Sequence, residues 1–167
     1  FGFERLIVHD PKRWGHLREA SRIKQLATVP AAIYASDRDP AAVKIAQRIF
    51  QGAGVGIDIR LRQSDVLDLE APAEQGVILI NPPYGVRLSK PEELDDFYPK
   101  LGDWLKQRFS GWRAYIFTGD LRVPKLIGLA PSKRIPLFNG PLECRLYEFL
   151  IMSGSMRKTI APSDSTE

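Results

Sequence analysis

Apolar residues recur along this chain with two different spacings, which predict an alternation of helices and strands. A spacing of three to four residues, typical of helices that bury one face, occurs at about residues 12–27, 40–51 and 91–109. Shorter apolar or alternating runs, bounded by Gly, Pro, Asp or Ser, predict strands at about residues 29–35, 57–62, 76–80, 114–117, 134–138 and 144–151. A short helix at about residues 121–129 completes the predicted elements.

Strands that alternate with helices predict right-handed βαβ units, and hence a three-layer α/β sandwich with a mostly parallel sheet. The run Val77–Ile80 is apolar throughout, which predicts a central strand buried on both faces. Only a short turn, Asn139-Gly140-Pro141, separates the last two strands, so they are expected to form an antiparallel hairpin. We expect residues 1–152 to form one domain and residues 153–167 to form a flexible polar tail.

Polar side chains follow three of the predicted strands. Asp37 and Asp65 come after the first two strands, and Asn81 comes after the third. Because ligands of parallel α/β sheets bind outside the carboxyl ends of the strands, we expect these three residues to converge on one ligand site. Asp37 has an alternative role at the start of the next helix, but Asp39 before Pro40 already suits the N-cap position there.

The turn Asn81-Pro82-Pro83-Tyr84-Gly85 has the chemistry to hold a planar amine. Two consecutive prolines have no N–H groups, so the carbonyls of Asn81 and Pro82 can escape ladder hydrogen bonds and point into a cavity. Together with the side-chain carbonyl of Asn81 they could accept the hydrogens of an exocyclic amine, while Tyr84 stacks on the attached base. The alternative is a Pro-Pro turn that only ends a buried strand.

The composition is that of an ordinary globular protein: of 167 residues, 44% are hydrophobic and 26% are charged. No apolar run approaches the ~18 residues that a membrane-spanning helix needs, so we expect a cytosolic protein. A single cysteine, Cys144, excludes an internal disulfide framework and a Cys-based zinc site, and no metal is expected.

The formal net charge of +4 is a moderate indication of a polyanionic partner. Basic residues are concentrated in the first segment and after the double-proline turn, where they would flank the predicted site: Lys12, Arg13, Arg18, Arg22, Lys24, Arg87 and Lys90. Contact with phosphate groups and simple solvation of an exposed helix face and loop both explain this distribution.

These motifs resemble those of the S-adenosylmethionine-dependent amino methyltransferases. The matching segments are Ser36–Pro40, Ser64-Asp65 and Asn81–Leu88, and the later run Phe138–Cys144 is similar to the Asn-Gly-Pro-Leu turn of one family in particular. That family methylates the N2 amine of guanine in large-subunit ribosomal RNA and was long catalogued as N6-adenine-specific DNA methylases. The resemblance covers about residues 1–152 and implies a Rossmann-like methyltransferase fold, S-adenosylmethionine as cofactor and ribosomal RNA as partner.

The resemblance implies a role for each matched residue. Asp37 would accept hydrogen bonds from the ribose hydroxyls of the cofactor, and Asp65 from its adenine amine, unless Asp65 only closes a strand-ending turn. Asn81, beside the cofactor, would hold the target amine together with the carbonyl of Pro82, and Tyr84 would stack on the target base. The residues implied to contact the RNA substrate are Pro83, Gly85, Arg87 and Asn139.

The family's first strand, which ends in an acidic, Gly-rich loop, has no counterpart before Phe1. The glycine cluster at residues 52–56 follows a predicted helix instead of a strand, so we expect it to end that helix. We therefore expect a C-terminal piece of a longer enzyme, impaired in methyl transfer, with the first strand of its sheet missing. We also expect an RNA-binding domain upstream.

Three other functions fit part of the pattern. An adenine-N6 DNA methyltransferase would use the same turn, but it is expected to need a separate base-recognition domain. A release-factor glutamine methylase usually has an apolar residue where Gly85 stands. A non-catalytic RNA-binding domain with the same fold would retain the basic first helix, and cofactor binding would separate it from an enzyme.

Overall fold

The computed structural model describes residues 1–27, 29–56, 58–82 and 91–152, without the side chains of residues 91–93. In chain order its elements are α1 (Pro11–Ile23), β1 (Ile33–Asp37), α2 (Pro40–Gly52), β2 (Ile59–Gln63), β3 (Val77–Ile80), α3 (Pro91–Arg108), β4 (Arg113–Thr118), α4 (Val123–Leu126), β5 (Lys133–Asn139) and β6 (Leu142–Leu150). Short 3₁₀ helices occur at Gly2–Arg5 and Val66–Asp68. The predicted alternation of helices and strands is confirmed.

The chain forms two compact units, Phe1–Val66 and Leu67–Glu167. In the first unit, β1 and β2 pair in parallel, with Asp37 opposite Gln63 at the end of the ladder. The first strand is predicted from residue 29 but begins at Ile33. Pro30 lies before the ladder, since it has no N–H to donate to a neighbouring strand.

Aspartate caps start both helices of the first unit. The side chain of Asp10 accepts hydrogen bonds from the main-chain N–H groups of Lys12 and Arg13, each at 3.0 Å. Asp39 accepts from Ala41 N–H at 2.8 Å, which confirms its predicted role as the N-cap before Pro40. Helix α1 ends at residue 23, earlier than predicted.

No helix of the described residues is both long enough and apolar enough to cross a membrane.

The second unit contains a four-stranded sheet in the order β3-β4-β6-β5. β3 is parallel to β4, whereas β6 is antiparallel to both β4 and β5. The predicted C-terminal hairpin is therefore confirmed. Its turn has Gly140 at φ 60°, the left-handed value that the first central position of a type II′ turn requires, followed by Pro141.

The strands predicted as one sheet form two hydrogen-bonded sheets. β1 pairs with β2, and β3, β4, β6 and β5 pair with one another. Within the described residues no strand pairs with members of both sheets. A strand-helix alternation predicts which segments are extended, but it does not identify the partner that each strand edge meets.

The core lies in the second unit, where α3 buries one face. Its helical spacing predicts an inward face of Leu94, Phe97, Leu101, Trp104 and Leu105. Phe97 is half-buried and the other four are buried, and Tyr98, which this face omits, is fully buried. The sheet contributes further core residues, which include Ala114, Ile116 and Phe149. Each fully buried Leu, Ile or Phe side chain among them contributes about 1.5–3 kcal/mol to the free energy of unfolding.

The prediction that β3 is buried on both faces is wrong for this strand. Ile78 and Ile80 are half-buried, whereas Val77 and Leu79 are 64% and 72% exposed. Successive residues of a strand point to opposite faces, and the β3–β4 register places the half-buried pair on the same face as the buried residues of β4. The core therefore covers one face of β3.

Two tryptophans fix the loop that leads into β3. Trp104 Nε1 donates to the carbonyl of Leu69 at 2.9 Å, and Trp112 Nε1 donates to the carbonyl of Ala73 at 3.0 Å. Both rings are buried, so the hydrogen bonds satisfy their polar atoms within the core. These hydrogen bonds hold the loop before β3 against the core.

A buried carboxylate connects the strands on the opposite face of the sheet. Glu148 of β6 accepts a hydrogen bond from Tyr115 Oη at 2.5 Å and another from Ser132 Oγ at 2.7 Å. These two hydrogen bonds hold the pKa of Glu148 below its usual value. The Tyr115 hydroxyl therefore has a well-defined structural role.

Candidate active site

The loop after β1 presents the carboxylate of Asp37 in a defined orientation. Asp37 Oδ1 accepts a hydrogen bond from the main-chain N–H of Asp39 at 2.8 Å, which closes an Asx turn at the end of the strand. The side chain is exposed. An ionised carboxylate accepts hydrogen bonds only, so this group is suited to bind a ligand that carries hydroxyl or amine donors.

The end of β2 lies beside this loop. Ser64 N–H donates to the carbonyl of Asp37 at 3.0 Å, which extends the parallel pairing by one residue, and Asp65 follows in a half-buried position. Gln63 Nε2 also donates to the carbonyl of Arg38 at 3.3 Å. The structure thus brings Asp37 and Asp65 to the same end of the β1–β2 sheet. Their convergence with Asn81 of the second unit stays a prediction.

The carboxyl end of β3 carries the predicted amine-binding step. Asn81 follows the strand directly and is exposed, whereas Pro82 is buried. The register pairs Ile80 with Ile116, so its continuation places Pro82 level with Thr118, the last residue of β4. The remaining residues predicted in this turn, Pro83, Tyr84, Gly85 and Arg87, lie outside the described residues.

Asn139 lies at the same edge of the sheet as Asn81 but far along it. Three strand spacings separate β3 from β5, which corresponds to about 14 Å. The hairpin also extends beyond β4: Pro136 is level with Thr118, and Asn139 is three residues further, or about 10 Å. The two asparagines are therefore too far apart to contact the same amine.

A polar group at the carboxyl end of β4 was not singled out by the sequence motifs. Asp120 N–H donates to Thr118 Oγ1 at 3.0 Å, and the Asp120 carboxylate accepts from Arg122 Nη2 at 2.8 Å. Arg122 Nη1 also lies 3.3 Å from Asp95 Oδ1 on α3. Burial raises the pKa of Asp120, but the hydrogen bonds and charge of Arg122 outweigh this effect and hold it below its usual value.

The signal for this group was present in the sequence. Thr118-Gly119-Asp120 lies at the end of a predicted strand, as Asp37, Asp65 and Asn81 do. The described strand ends thus offer mainly hydrogen-bond acceptors, which are carboxylates and carbonyls. Among the residues that the structure describes, no group of three His, Cys, Asp or Glu side chains is placed to hold a metal ion.

Residues 4–148 match the model of the family UPF0020, described as RMKL-like, methyltransferase domain. The chain belongs to this family. The match confirms the predicted resemblance, and it identifies the α/β architecture with its antiparallel C-terminal hairpin as the Rossmann-like methyltransferase fold.

Relatives and solved structures agree with this assignment. The protein named "Putative RNA methyltransferase slr0064" of Synechocystis sp. is 37% identical over 149 residues, which cover 89% of this chain and 39% of that protein. "Ribosomal RNA large subunit methyltransferase K/L" of Shewanella loihica is 35% identical over 161 residues, covering 95% and 23%. The structure of SMU.472, "complexed with SAH", superposes with a TM-score of 0.76 at 26% identity, covering 93% and 41%. The chain spans less than half the length of each of these proteins.

Proposed function

We propose that this chain carries the methyl-transfer site of an S-adenosylmethionine-dependent RNA methyltransferase, and that the target is the N2 amine of guanine in large-subunit ribosomal RNA. The observation that carries the proposal is the Asn81-Pro82 step at the carboxyl end of β3, in a chain of the RMKL-like methyltransferase domain family. The names of the Synechocystis and Shewanella relatives support RNA, and ribosomal RNA in particular, as the substrate.

Asp37 and Asp65 have the acceptor groups that the ribose hydroxyls and the adenine amine of the cofactor require. Asp37 is exposed at the end of β1, and its carboxylate is already oriented by the N–H of Asp39, so it can accept hydrogen bonds from two ribose hydroxyls. Asp65, at the neighbouring strand end, would accept from the adenine amine. S-Adenosylmethionine, when bound, supplies an electrophilic methyl group on its sulfonium. The complex of SMU.472 with SAH supports this assignment.

The target amine would be held by two acceptors, the side-chain carbonyl of Asn81 and the main-chain carbonyl of Pro82. The lone pair of a guanine amine is delocalised into the ring, which makes the nitrogen a poor nucleophile. Two acceptors that draw its hydrogens out of the ring plane restore lone-pair character and orient the nitrogen. Catalysis then comes from positioning and from stabilisation of the positive charge that develops on nitrogen. The proton leaves to water afterwards, and Tyr84 stacks on the base.

Contacts with the rest of the RNA would come from other parts of the chain. Helix α1 presents exposed basic side chains that suit phosphate groups: Lys12, Arg13, Arg18 and Arg22. We assign Pro83, Gly85 and Arg87 to the substrate near the target base. Asn139, at the far side of the sheet edge, would contact a different nucleotide. Such an enzyme would work in the cytoplasm, with an RNA-binding domain upstream in the longer protein.

A modification assay tests this function. Ribosomal RNA from cells that lack the gene is incubated with the full-length protein and S-adenosylmethionine, and its nucleosides are mapped by mass spectrometry. We expect N2-methylguanosine at one position of the large-subunit RNA. If N6-methyladenosine is found instead, the protein is an adenine methylase. If neither base is methylated when the cofactor is present, the result favours a non-catalytic RNA-binding domain.

Asp37→Ala should weaken binding of S-adenosylmethionine to the full-length protein by at least about tenfold, since hydrogen bonds to a charged group contribute about 1.5–3 kcal/mol. Isothermal calorimetry measures this affinity. The matched control is Asp58→Ala, which removes the same charge near the opposite end of β2 and should leave the affinity unchanged. Equal affinities for the wild type and Asp37→Ala would contradict the assignment.

A further inference from the structure

Tyr98 of α3 carries a hydroxyl group that is fully buried. Tyr98 lies on α3 four residues after Leu94 and three before Leu101, so all three share the face that packs into the core. Its side chain is 0% exposed and is the largest of the fully buried side chains. Within the described part of the chain, Tyr98 Oη has no hydrogen-bond partner.

The surroundings of this hydroxyl lie at the end of β4. Burial raises the pKa of Tyr98 to about 12, and the Thr118 hydroxyl, which is close by, partly offsets this effect. The two hydroxyl groups do not form a hydrogen bond of acceptable geometry. The charges of Asp120 and Arg122, which follow β4 in the chain, also act on the Tyr98 hydroxyl.

The register of the sheet connects this position to the predicted amine-binding step. Val77 pairs with Arg113 and Ile80 with Ile116, and the same offset places Pro82 beside Thr118. Even-numbered residues of β3 and β4 share the buried face, and Pro82 is itself buried. Adjacent strands are about 4.8 Å apart. The register therefore places Pro82 on the same buried face of the sheet as Thr118, the residue whose hydroxyl acts on Tyr98.

A buried polar group without a partner lowers the stability of the folded state. Phenylalanine would fill the same volume without the hydroxyl, so the hydroxyl has no evident value for packing. Such groups are rare in native proteins, and a role in catalysis is one explanation for them. Here the proposed chemistry depends on the Asn81-Pro82 step, whose Pro82 lies on this buried face.

We propose that Tyr98 is a positioning residue for methyl transfer, whose O–H donates to the main chain of the Asn81-Pro82 step when the target amine is bound. This inference rests on the proposed function. The hydrogen bond holds the peptide groups in place while the side-chain carbonyl of Asn81 and the carbonyl of Pro82 accept the hydrogens of the amine. Tyr98 itself does not touch the substrate.

Tyr98→Phe tests this role in the full-length protein with ribosomal RNA that lacks the modification. We expect kcat to fall at least about tenfold, because misplacement of a reacting group is costly in rate. KM for RNA and the affinity for S-adenosylmethionine should change less than about twofold, since neither ligand contacts the hydroxyl. The midpoint of thermal unfolding should stay the same or rise, because an unpaired buried hydroxyl is removed.

Tyr115→Phe is the matched control, because it removes a hydroxyl that the structure shows to be paired. Tyr115 Oη donates to Glu148 at 2.5 Å on the opposite face of the sheet. We expect this variant to unfold at a lower temperature and to keep the wild-type kcat. The two tyrosines should therefore show opposite effects on stability and activity.

Two results would overturn the inference. One is a Tyr98→Phe variant with wild-type kcat, and the other is a loss of kcat accompanied by a lower unfolding temperature, which would indicate a purely structural hydroxyl. Failure of the proposed function is a separate outcome, because the wild-type protein itself would then transfer no methyl group to guanine.

Discussion

Asn81→Ala is expected to abolish measurable methyl transfer to RNA, a loss of about 10²–10³-fold or more in kcat. The substitution removes the side-chain carbonyl that would accept one hydrogen of the target amine and would help to orient its lone pair. Asn81 is exposed and lies just outside β3, so the fold should be unaffected. The measurement is incorporation of a labelled methyl group from S-adenosylmethionine into unmodified ribosomal RNA.

Gln75→Ala provides the control for this variant. It truncates a side chain with the same amide group, exposed just before the amino end of the same strand. Parallel sheets bind ligands at the carboxyl ends of their strands, so this change should leave the rate unaltered. Circular dichroism and thermal unfolding of both variants check that the fold is intact. A wild-type rate for Asn81→Ala would refute the role assigned to the asparagine.

Gly102→Ala is expected to destabilise the protein by about 3 kcal/mol, at the upper end of the usual cost of overpacking. Gly102 is buried in α3, and an added Cβ would overlap the carbonyl oxygen of Ile127 and lie 3.0 Å from its carbonyl carbon. Because these are main-chain atoms, a side-chain rotation cannot relieve the clash. Equilibrium unfolding in urea measures the effect as a lower transition midpoint.

Gly15→Ala is the corresponding control in a helix without a close neighbour. Gly15 is an exposed interior residue of α1, and an added Cβ would meet no atom within 4 Å. Alanine is the better helix former, so this variant should be stabilised by roughly 0.5–1 kcal/mol. If Gly102→Ala raised the midpoint of urea unfolding as Gly15→Ala is expected to do, the close approach of α3 to Ile127 would be disproved.

Local patterns in the sequence were sufficient for most of the secondary structure. Asp39-Pro40 predicts the start of α2 because a carboxylate next to the first turn pairs with free N–H groups within the same few residues. The hairpin of β5 and β6 follows from Gly140-Pro141, because the left-handed conformation needed there suits glycine. The buried stripe of α3 follows from helical spacing.

The candidate site could be predicted only in part. Asp37, Asp65 and Asn81 were found because each follows a predicted strand, and the structure places the first two at one end of the β1–β2 sheet. The polar group of Thr118 and Asp120 was missed although the same pattern marks it. The family match agrees with the motif that first indicated a methyltransferase.

Contacts between distant segments depend on the tertiary structure. The exposure of Val77 and Leu79 was not predictable from an apolar run, because hydrophobicity does not say how many faces of a strand are covered. That Tyr98 Oη has no hydrogen-bond partner within the described residues depends on how α3 is buried in the core, and the shared buried face of Pro82 and Thr118 depends on a strand register. Capping, turns and helical spacing involve neighbours in the chain and can be deduced from amino-acid order. Burial, pairing and register involve residues brought together only by folding.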